Sequence, residues 1–128
     1  MMNKNHKSFV CGLKGKYLSK DEKKFLKKYK PWGIILFSRN IKSSNQLIKL
    51  TKEIRKLMSD RKYPIMIDEE GGTVTRLANI IENSYSQIFF GKIYEKNINI
   101  GKKLYINYLS CLIKEIKRLG ININTVPV

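Results

Sequence analysis

The chain repeats a pattern in which a short apolar run precedes a longer stretch with apolar residues at every third or fourth position. Unbroken apolar runs are typical of strands buried on both faces of a parallel sheet, and the longer spacing is typical of amphipathic helices. The pattern predicts strands at 8–12, 32–37, 65–67 and 121–126. It predicts helices at about 20–30, 45–59 and 101–119.

Capping residues support these helix boundaries. Ser19 is the expected N-cap of the first helix, with acids in the first turn, and Pro31 ends that helix. Ser43 and Ser44 offer a cap to the second helix, and Gly120 ends the third. The inner face of the first helix is expected to hold Phe25, Leu26 and Tyr29.

Strands that alternate with helices indicate βαβ units and a parallel sheet, which is an α/β fold. The alternation by itself leaves an open doubly wound sheet and a barrel as alternatives. A Gly-x-Gly-x-x-Gly turn and a phosphate-binding Gly-x-x-x-x-Gly-Lys-Ser/Thr loop are both missing from the sequence, which weakens the nucleotide-binding version. Residues 77–91 are predicted to be a long loop with one helical turn, and such loops are often functional.

The stretch 63–76 is the strongest candidate for chemistry, because the apolar run 65–67 ends there abruptly in acids and glycines. Asp68 lies where that strand is predicted to end, and the carboxyl ends of parallel strands carry the functional residues of such folds. The Gly71–Gly72 pair permits positive φ and a close backbone approach. Arg76 follows within reach of the same edge.

The 128 residues carry 26 basic and 10 acidic side chains, for a formal net charge of +16. Such an excess would favour nucleic acid or an anionic membrane as partner. However, only five of the basic residues are arginines, the lysines spread over every predicted helix, and Lys, Asn and Ile are abundant together, as AT-rich codon usage would produce. We therefore expect no specific nucleic acid and no membrane as partner. Nonspecific polyanion binding, abolished by modest salt, remains an alternative.

Cys11 and Cys111 lack metal-ligand spacing and are expected to be buried, reduced thiols of a cytoplasmic protein. No apolar run reaches the ~18 residues that span a bilayer, and the N-terminal apolar patch is too short for a signal peptide. Residues 1–7 are expected to form a disordered basic leader, with His6 in solvent, before one partial domain at 8–128. No metal and no cofactor are expected.

Three blocks of sequence carry a family resemblance. They are Gly-Ile-Ile-Leu-Phe-Ser-Arg-Asn at 33–40, Ile-Asp-Glu-Glu-Gly-Gly-Thr-Val-Thr-Arg at 67–76, and Leu-Gly-Ile-Asn at 119–122 leading to Val-Pro-Val at 126–128. In these blocks the chain resembles the N-terminal part of the glycoside hydrolase family 3 β-N-acetylglucosaminidases (β-hexosaminidases), bacterial enzymes of cell-wall recycling. The middle block is the specific one. Its usual form is Asp-Gln-Glu-Gly-Gly-x-Val-x-Arg, and Glu69 replaces the Gln, which adds a charge and should leave the strand-end geometry intact.

The resemblance implies the N-terminal half of a (β/α)₈ TIM barrel, with about four of its parallel strands, since a complete barrel needs roughly 200 residues or more. It also implies that Asp68 and Arg76 bind the sugar in the non-reducing-end subsite. A carboxylate accepts hydrogen bonds from sugar hydroxyls, and a guanidinium donates two from a fixed fork. The family's Asp nucleophile and acid/base His are expected downstream of Val128, so no catalytic residue is expected in this chain.

Other polar residues near the predicted site have structural explanations. Glu70 is expected to hold the glycine turn as a hydrogen-bond acceptor. A catalytic pair of Asp68 and Glu70 is disfavoured because the scissile bond must lie between the two carboxyl groups. An alternative for Arg76 is an ion pair with Glu69 or Glu70. Bracing or packing roles are expected for Arg39, Asn40 and Trp32.

The sequence thus predicts a segment of a retaining exo-β-N-acetylglucosaminidase for muropeptide sugars, with no turnover by these 128 residues alone. The alternative is an inactive or split remnant that binds sugar weakly or pairs with a separately encoded second half. Open strand edges would then favour self-association.

Overall fold

A computed structural model describes residues 6–126 and contains four strands that alternate with helices. The strands are β1 (Lys7–Gly12), β2 (Pro31–Leu36), β3 (Ile65–Ile67) and β4 (Ile123–Asn124). The helices are α1 (Lys20–Tyr29), α2 (Ser44–Met58), α3 (Gln87–Lys96) and α4 (Ile98–Arg118), with one 3-10 turn at Ser38–Asn40. The predicted α/β class is confirmed.

All pairings in the sheet are parallel, and the strand order β1-β2-β3-β4 follows the chain. Ile34 of β2 lies beside both Cys11 of β1 and Ile65 of β3, and Met66 of β3 lies beside Ile123 of β4. Because every strand runs the same way, the residues that follow the strands meet at one edge of the sheet. This is the carboxyl edge, where Asp68 was expected.

The predicted caps begin the first two helices. The Ser19 hydroxyl accepts a hydrogen bond from the Glu22 amide, and the Glu22 carboxylate accepts one from the Ser19 amide, which completes a capping box. The Ser43 hydroxyl accepts from the Gln46 amide at the start of α2. Local sequence therefore sets both helix starts.

The apolar core lies between the sheet and the helices that cross over it, and loop residues complete it. The buried strands and the inner stripe of each helix supply its members, as the periodicity predicts. They include Leu26, Ile34, Leu36, Leu47, Ile54, Ile65, Ile67, Leu112, Ile116, Leu119 and Ile121.

The prediction for the inner face of α1 is wrong for two of its three residues, and the first strand starts one residue earlier than predicted. Of the three residues expected on the inner face of α1, only Leu26 is buried, whereas Phe25 and Tyr29 are partly exposed and pack their rings 4.8 Å apart. A short helix buries one narrow stripe, so its flanking aromatics stay at the surface. Strand β1 begins at Lys7, inside the expected leader, and the ring of His6 lies 5.7 Å from that of Tyr63. The remainder of the leader, 1–5, lies outside the described residues, as do 127–128.

The region after β3 differs most from the prediction. Helix α3 begins at Gln87, inside the predicted loop, and α4 begins at Ile98, before the predicted 101. Gly101 permits the tight junction between them, since a Cβ there would lie 2.5 Å from the Tyr94 Cα. Strand β4 pairs over two residues only, Ile123–Asn124.

Three further expectations concern individual side chains. Cys11 is half-buried, and desolvation raises the pKa of its thiol, but Cys111 is exposed on α4, so the expectation of two buried thiols is wrong for Cys111. Trp32 on β2 is partly exposed at the amino end of the sheet. Within residues 6–126, none of the helices combines the length and apolarity needed to cross a bilayer.

Candidate functional site

Asp68 follows β3 directly and lies at the carboxyl edge of the sheet. Its carboxylate is held from the neighbouring strand, because the Thr125 hydroxyl, just after β4, donates a hydrogen bond to Asp68 Oδ1. The side chain keeps 25% of its surface exposed. A carboxylate with one oxygen bound and the group still open to solvent can accept further hydrogen bonds from a ligand.

Arg76 reaches the same place from the loop after β3. Its Nη2 lies 3.7 Å from Asp68 Oδ2, and its guanidinium carbon lies 5.9 Å from the centre of the Phe37 ring. Its Nε is buried without a hydrogen-bond partner in the part of the chain described. The long ion-pair distance and the partial exposure of the side chain leave the terminal nitrogens of the guanidinium with donors to spare.

Arg39 and Asn40 brace the end of β2, as the sequence predicts. The Arg39 guanidinium lies 4.6 Å from the Phe37 ring centre, and its Nε donates to the Leu13 carbonyl at 2.9 Å. Asn40 is fully buried, with its Nδ2 donating to the carbonyls of Leu13 and Gly15 and its Oδ1 accepting from the Phe37 amide. These contacts hold the loop after β1 against Phe37.

Glu69 is the buried acid of the site, and sequence reasoning missed its role. Its side chain is 0% exposed and accepts four hydrogen bonds. Oε1 accepts from the Thr75 hydroxyl and the Asn83 amide, each at 2.6 Å. Oε2 accepts from the backbone amides of Arg76 at 2.7 Å and Leu77 at 2.9 Å. Glu69 therefore fastens the loop that carries Arg76 to the end of β3.

The structure corrects the expectation for Glu70. Glu70 enters the glycine turn through its backbone, whose N–H donates to the Val74 carbonyl at 3.1 Å, while Glu69 is the side chain that binds the loop. Neighbouring residues of an extended segment point to opposite sides. That alternation was the available signal: if Asp68 faces the mouth of the sheet, Glu69 faces the interior.

The glycine turn requires its glycines. Gly71 has a φ of +86°, and a Cβ there would lie 2.3 Å from the Tyr85 carbonyl oxygen. Gly72 has a φ of +65°, and its amide donates to the Asn83 carbonyl at 2.8 Å. The turn thus folds the loop back on the segment before α3.

The hydrogen-bond network continues into α4. The Tyr108 hydroxyl donates to Asn83 Oδ1 at 2.8 Å, and the Asn83 amide donates to Glu69. Burial, as the largest cause, raises the pKa of Tyr108. The loop after β3 is therefore joined both to the strand end and to the last helix.

The arrangement offers hydrogen-bonding groups for a polar, hydroxyl-rich ligand. Asp68 supplies an acceptor, Arg76 supplies donors, and the guanidinium groups of Arg39 and Arg76 both lie near the Phe37 ring. Among residues 6–126, His, Cys, Asp and Glu do not form a group of three or more that could hold a metal ion.

Curated β-hexosaminidases are similar to this chain in sequence. No family model matches the chain. A β-hexosaminidase of Thioalkalivibrio sulfidiphilus is 30% identical over 119 residues, which are 93% of this chain and 34% of that protein. A β-hexosaminidase of Methylococcus capsulatus is 45% identical over 64 residues, half of this chain and 19% of that protein. The chain thus spans about a third of the length of the first of these relatives.

Solved structures give the same result. NagZ from Neisseria gonorrhoeae superposes with a TM-score of 0.84 and 27% identity, over 96% of this chain and 37% of that one. A glycoside hydrolase family 3 β-N-acetylglucosaminidase from Paenibacillus sp. FPU-7 gives a TM-score of 0.81 and 29% identity, over 93% of this chain and 22% of that one.

The fold and the strand-end site define part of a TIM-barrel-type α/β domain, with four of its parallel strands. Similarity extends over nearly the whole described chain in both sequence and structure. The chain belongs to glycoside hydrolase family 3 and corresponds to the N-terminal part of the bacterial β-N-acetylglucosaminidases of that family.

Proposed function

We propose that Asp68 and Arg76 form the sugar-binding pair of a non-reducing-end subsite for N-acetylglucosamine. The observation that carries the proposal is their approach at the carboxyl edge, 3.7 Å between Arg76 Nη2 and Asp68 Oδ2, with capacity left on both groups. A close, fully satisfied ion pair would have little left to offer a ligand. A loose pair can open to accept two neighbouring hydroxyls between its members.

A relative's ligand supports the choice of sugar. The gonococcal NagZ has been solved in complex with N-trifluoroacetyl-D-glucosamine, an N-acylated glucosamine. That chain and this one superpose with a TM-score of 0.84. We infer the same class of sugar for this site.

The chain would serve a retaining exo-β-N-acetylglucosaminidase that removes terminal N-acetylglucosamine from muropeptides during cell-wall recycling in the cytoplasm. The mechanism implied by the family is a covalent glycosyl-enzyme formed by an Asp, with a His as acid/base, and we assign neither role to a residue of this chain. The residues of this segment would bind and orient the sugar, and other residues would cleave it.

Sugar binding is tested by titrating the isotope-labelled chain with N-acetylglucosamine and following its amide NMR signals. Saturable shifts are expected around residues 67–76. Asp68→Ala and Arg76→Ala should each weaken binding by about tenfold or more, since each removes charge-assisted hydrogen bonds. Arg61→Ala removes one exposed arginine beyond α2, far from the carboxyl edge, and serves as the matched control. Equal binding by Asp68→Ala and the unaltered chain would contradict the proposal.

Turnover is tested separately with an aryl N-acetylglucosaminide. The 128-residue chain is expected to release no chromophore. Release that disappears in Asp68→Ala would show that the chain cleaves sugars by itself, and the assignment of catalysis to other residues would then be wrong.

A second candidate function is pairing with a complementary half-barrel or with another copy of the chain. The observation that favours it is the pair of open sheet edges: β1 and β4 each have one neighbour in the described sheet. Unpaired edges present free backbone donors and acceptors to another strand. Sedimentation of the purified chain as a monomer at high concentration, with or without a supplied second half, would argue against this role.

A further inference from the structure

We propose that Thr125 is a positioning residue that fixes the orientation of the Asp68 carboxylate and so sets the sugar affinity of the site. The inference rests on the proposed function, because it assigns Thr125 a role through Asp68. The Thr125 hydroxyl, just after β4, donates to Asp68 Oδ1 and also lies 3.3 Å from the Ile67 carbonyl oxygen.

The backbone on both sides of Asp68 is already fixed by other contacts from the β4 segment. The Thr125 amide donates to the Ile67 carbonyl at 3.0 Å. Asn124 clamps Glu69, since its Oδ1 accepts from the Glu69 amide at 3.0 Å and its Nδ2 donates to the Glu69 carbonyl at 3.1 Å. What remains free at Asp68 is the rotation of the side chain.

The Thr125 hydroxyl removes that rotation. The terminal torsion of an aspartate is broad, so an unheld carboxylate samples many orientations. With Oδ1 held by Thr125, Oδ2 is turned toward Arg76, 3.7 Å from its Nη2. One oxygen is thus committed to the protein and the other is presented to the ligand.

The different roles of the two Asp68 oxygens predict how Thr125 affects sugar affinity. A preset carboxylate loses little rotational freedom when a sugar binds, which favours affinity without adding a contact to the sugar. Thr125 therefore contributes to binding only while Asp68 is present to be oriented. A residue that merely supported β4 would affect binding and stability regardless of the side chain at 68.

The experiment compares the full chain with Thr125→Val and Thr125→Ser by amide NMR titration with N-acetylglucosamine. Valine keeps the shape and loses the donor, and serine keeps the donor. Thr125→Val is expected to bind about fivefold to tenfold more weakly, the equivalent of about one hydrogen bond. Thr125→Ser is expected to bind within about twofold of the unaltered chain. Equal losses in both variants, or no loss in Thr125→Val, would overturn the proposal.

A double variant separates positioning from support. In an Asp68→Ala background, adding Thr125→Val should cause no further loss of sugar affinity, because the side chain that Thr125 orients is gone. A further loss as large as that in the unaltered background would show that Thr125 acts independently of Asp68.

Failure of the proposed function gives a different result. If the unaltered chain shows no saturable sugar binding, the sugar-site proposal is wrong, and Thr125 is then judged on the ligand-free chain. Denaturation midpoints of Thr125→Val, Asp68→Ala and the double variant should be non-additive if the two side chains are coupled. Additive midpoint shifts would overturn the contact on which the inference depends.

Discussion

The amino and carboxyl ends of the sheet use the same kinds of polar groups in opposite ways. At the amino end, three side chains make hydrogen bonds of 2.7 Å to backbone groups. The Tyr63 hydroxyl donates to the Pro31 carbonyl, and Arg55 Nη1 donates to the Gly120 carbonyl. Asn122 Oδ1 accepts from the Ile65 amide. At the carboxyl end, Arg76 approaches Asp68 at only 3.7 Å. Short contacts to backbone tie the strand starts together, whereas at the strand ends the Asp68–Arg76 pair keeps unused hydrogen-bonding capacity.

The comparison of the two arginines is the most direct. Each has a buried Nε without a partner in the described residues, so an unpaired Nε alone does not identify a site. The terminal nitrogens of Arg55 donate to the carbonyls of Gly120 and Tyr63. Among residues 6–126, no carboxylate lies within ion-pair distance of Arg55. Arg76 faces Asp68 and commits neither of its terminal nitrogens to backbone within the described range. Arg55 therefore stabilises the fold, and Arg76 is available to a ligand.

The largest expected effect on stability follows removal of Glu69, the buried acid at the carboxyl end of the sheet. Glu69→Ala leaves two backbone amides, a hydroxyl and an amide side chain without their acceptor, and we expect a loss of about 3 kcal/mol or more in the free energy of unfolding. Chemical denaturation measures it. This prediction sharpens the comparison, because Glu69 would be a wholly structural acid next to Asp68, the acid that we propose binds sugar.

Glu69→Gln is the matched control. The glutamine oxygen can accept from the two backbone amides, while its NH₂ donates to the Thr75 hydroxyl and to a flipped Asn83 amide. We expect a loss of about 1 kcal/mol or less. A Gln variant as unstable as the Ala variant would mean that the charge, and not the hydrogen-bond pattern, holds the loop.

Gly71→Ala is expected to cause the next largest loss of stability. The new Cβ would lie 2.3 Å from the Tyr85 carbonyl at a positive φ, so the turn must shift, and we expect a loss of about 2 kcal/mol in unfolding free energy. Gly91→Ala is the control: its Cβ would meet nothing within 4 Å, and in α3 an alanine should raise stability by about 0.5 to 1 kcal/mol. The same sign in both variants would remove the case for strain at Gly71.

Tyr63→Phe tests the amino end. It removes a buried hydrogen bond to the Pro31 carbonyl, and we expect a loss of about 1 kcal/mol in unfolding free energy with sugar binding unchanged. Weaker sugar binding in this variant would break the separation between the two ends.

The pH dependence of stability, compared between the unaltered chain and Tyr63→Phe, gives a second test of the amino end. Burial, as the largest cause, raises the pKa of Tyr63 above its ordinary value. The folded chain therefore keeps a proton that the unfolded chain releases above about pH 10, so the stability of the unaltered chain should fall there relative to Tyr63→Phe. Denaturation midpoints between pH 8 and 11, taken as differences between the two proteins, check the sign. A constant difference would contradict it.

The smallest expected effect on stability belongs to Asp68→Asn. The pair with Arg76 is long and partly exposed, and asparagine can still accept from Thr125, so we expect a change of about 0.5 kcal/mol or less. The same variant should bind N-acetylglucosamine much more weakly in the NMR titration. A stability loss as large as that of Tyr63→Phe would make the carboxyl end a structural region like the amino end.

Local patterns predicted the elements whose signals are local. Strand β3 occupies the predicted 65–67, and α2 lies within one residue of its predicted bounds, because Ser43 caps it and its apolar residues recur regularly. Helix α3 escaped prediction because it has little to bury: Phe90 is its one buried residue, and Ile88 and Phe89 are exposed. A helix that packs mainly on a neighbouring helix leaves a weak periodic signal in its own sequence.

Within the site too, some residues have a local sequence signal and others are placed only by tertiary structure. The strand-end position made Asp68 a candidate, and the family resemblance in the block 67–76 added Arg76. The residues that hold them are set by tertiary structure: Thr125 and Asn124 lie more than 50 positions from Asp68 and Glu69 in the chain. No spacing within the block 67–76 could specify them, because their contacts exist only once β4 has paired with β3.

The four-donor pocket around Glu69 also bears on how this sequence could have diverged. Thr75 and Asn83 can reverse their donor and acceptor roles, whereas the amides of Arg76 and Leu77 cannot, so the pocket accepts either a carboxylate or a carboxamide and little else. Gln and Glu codons differ by a single base. A lineage could therefore exchange the family's usual Gln for Glu69 in one mutational step, without a compensating change elsewhere and without passing through a poorly folded ancestor.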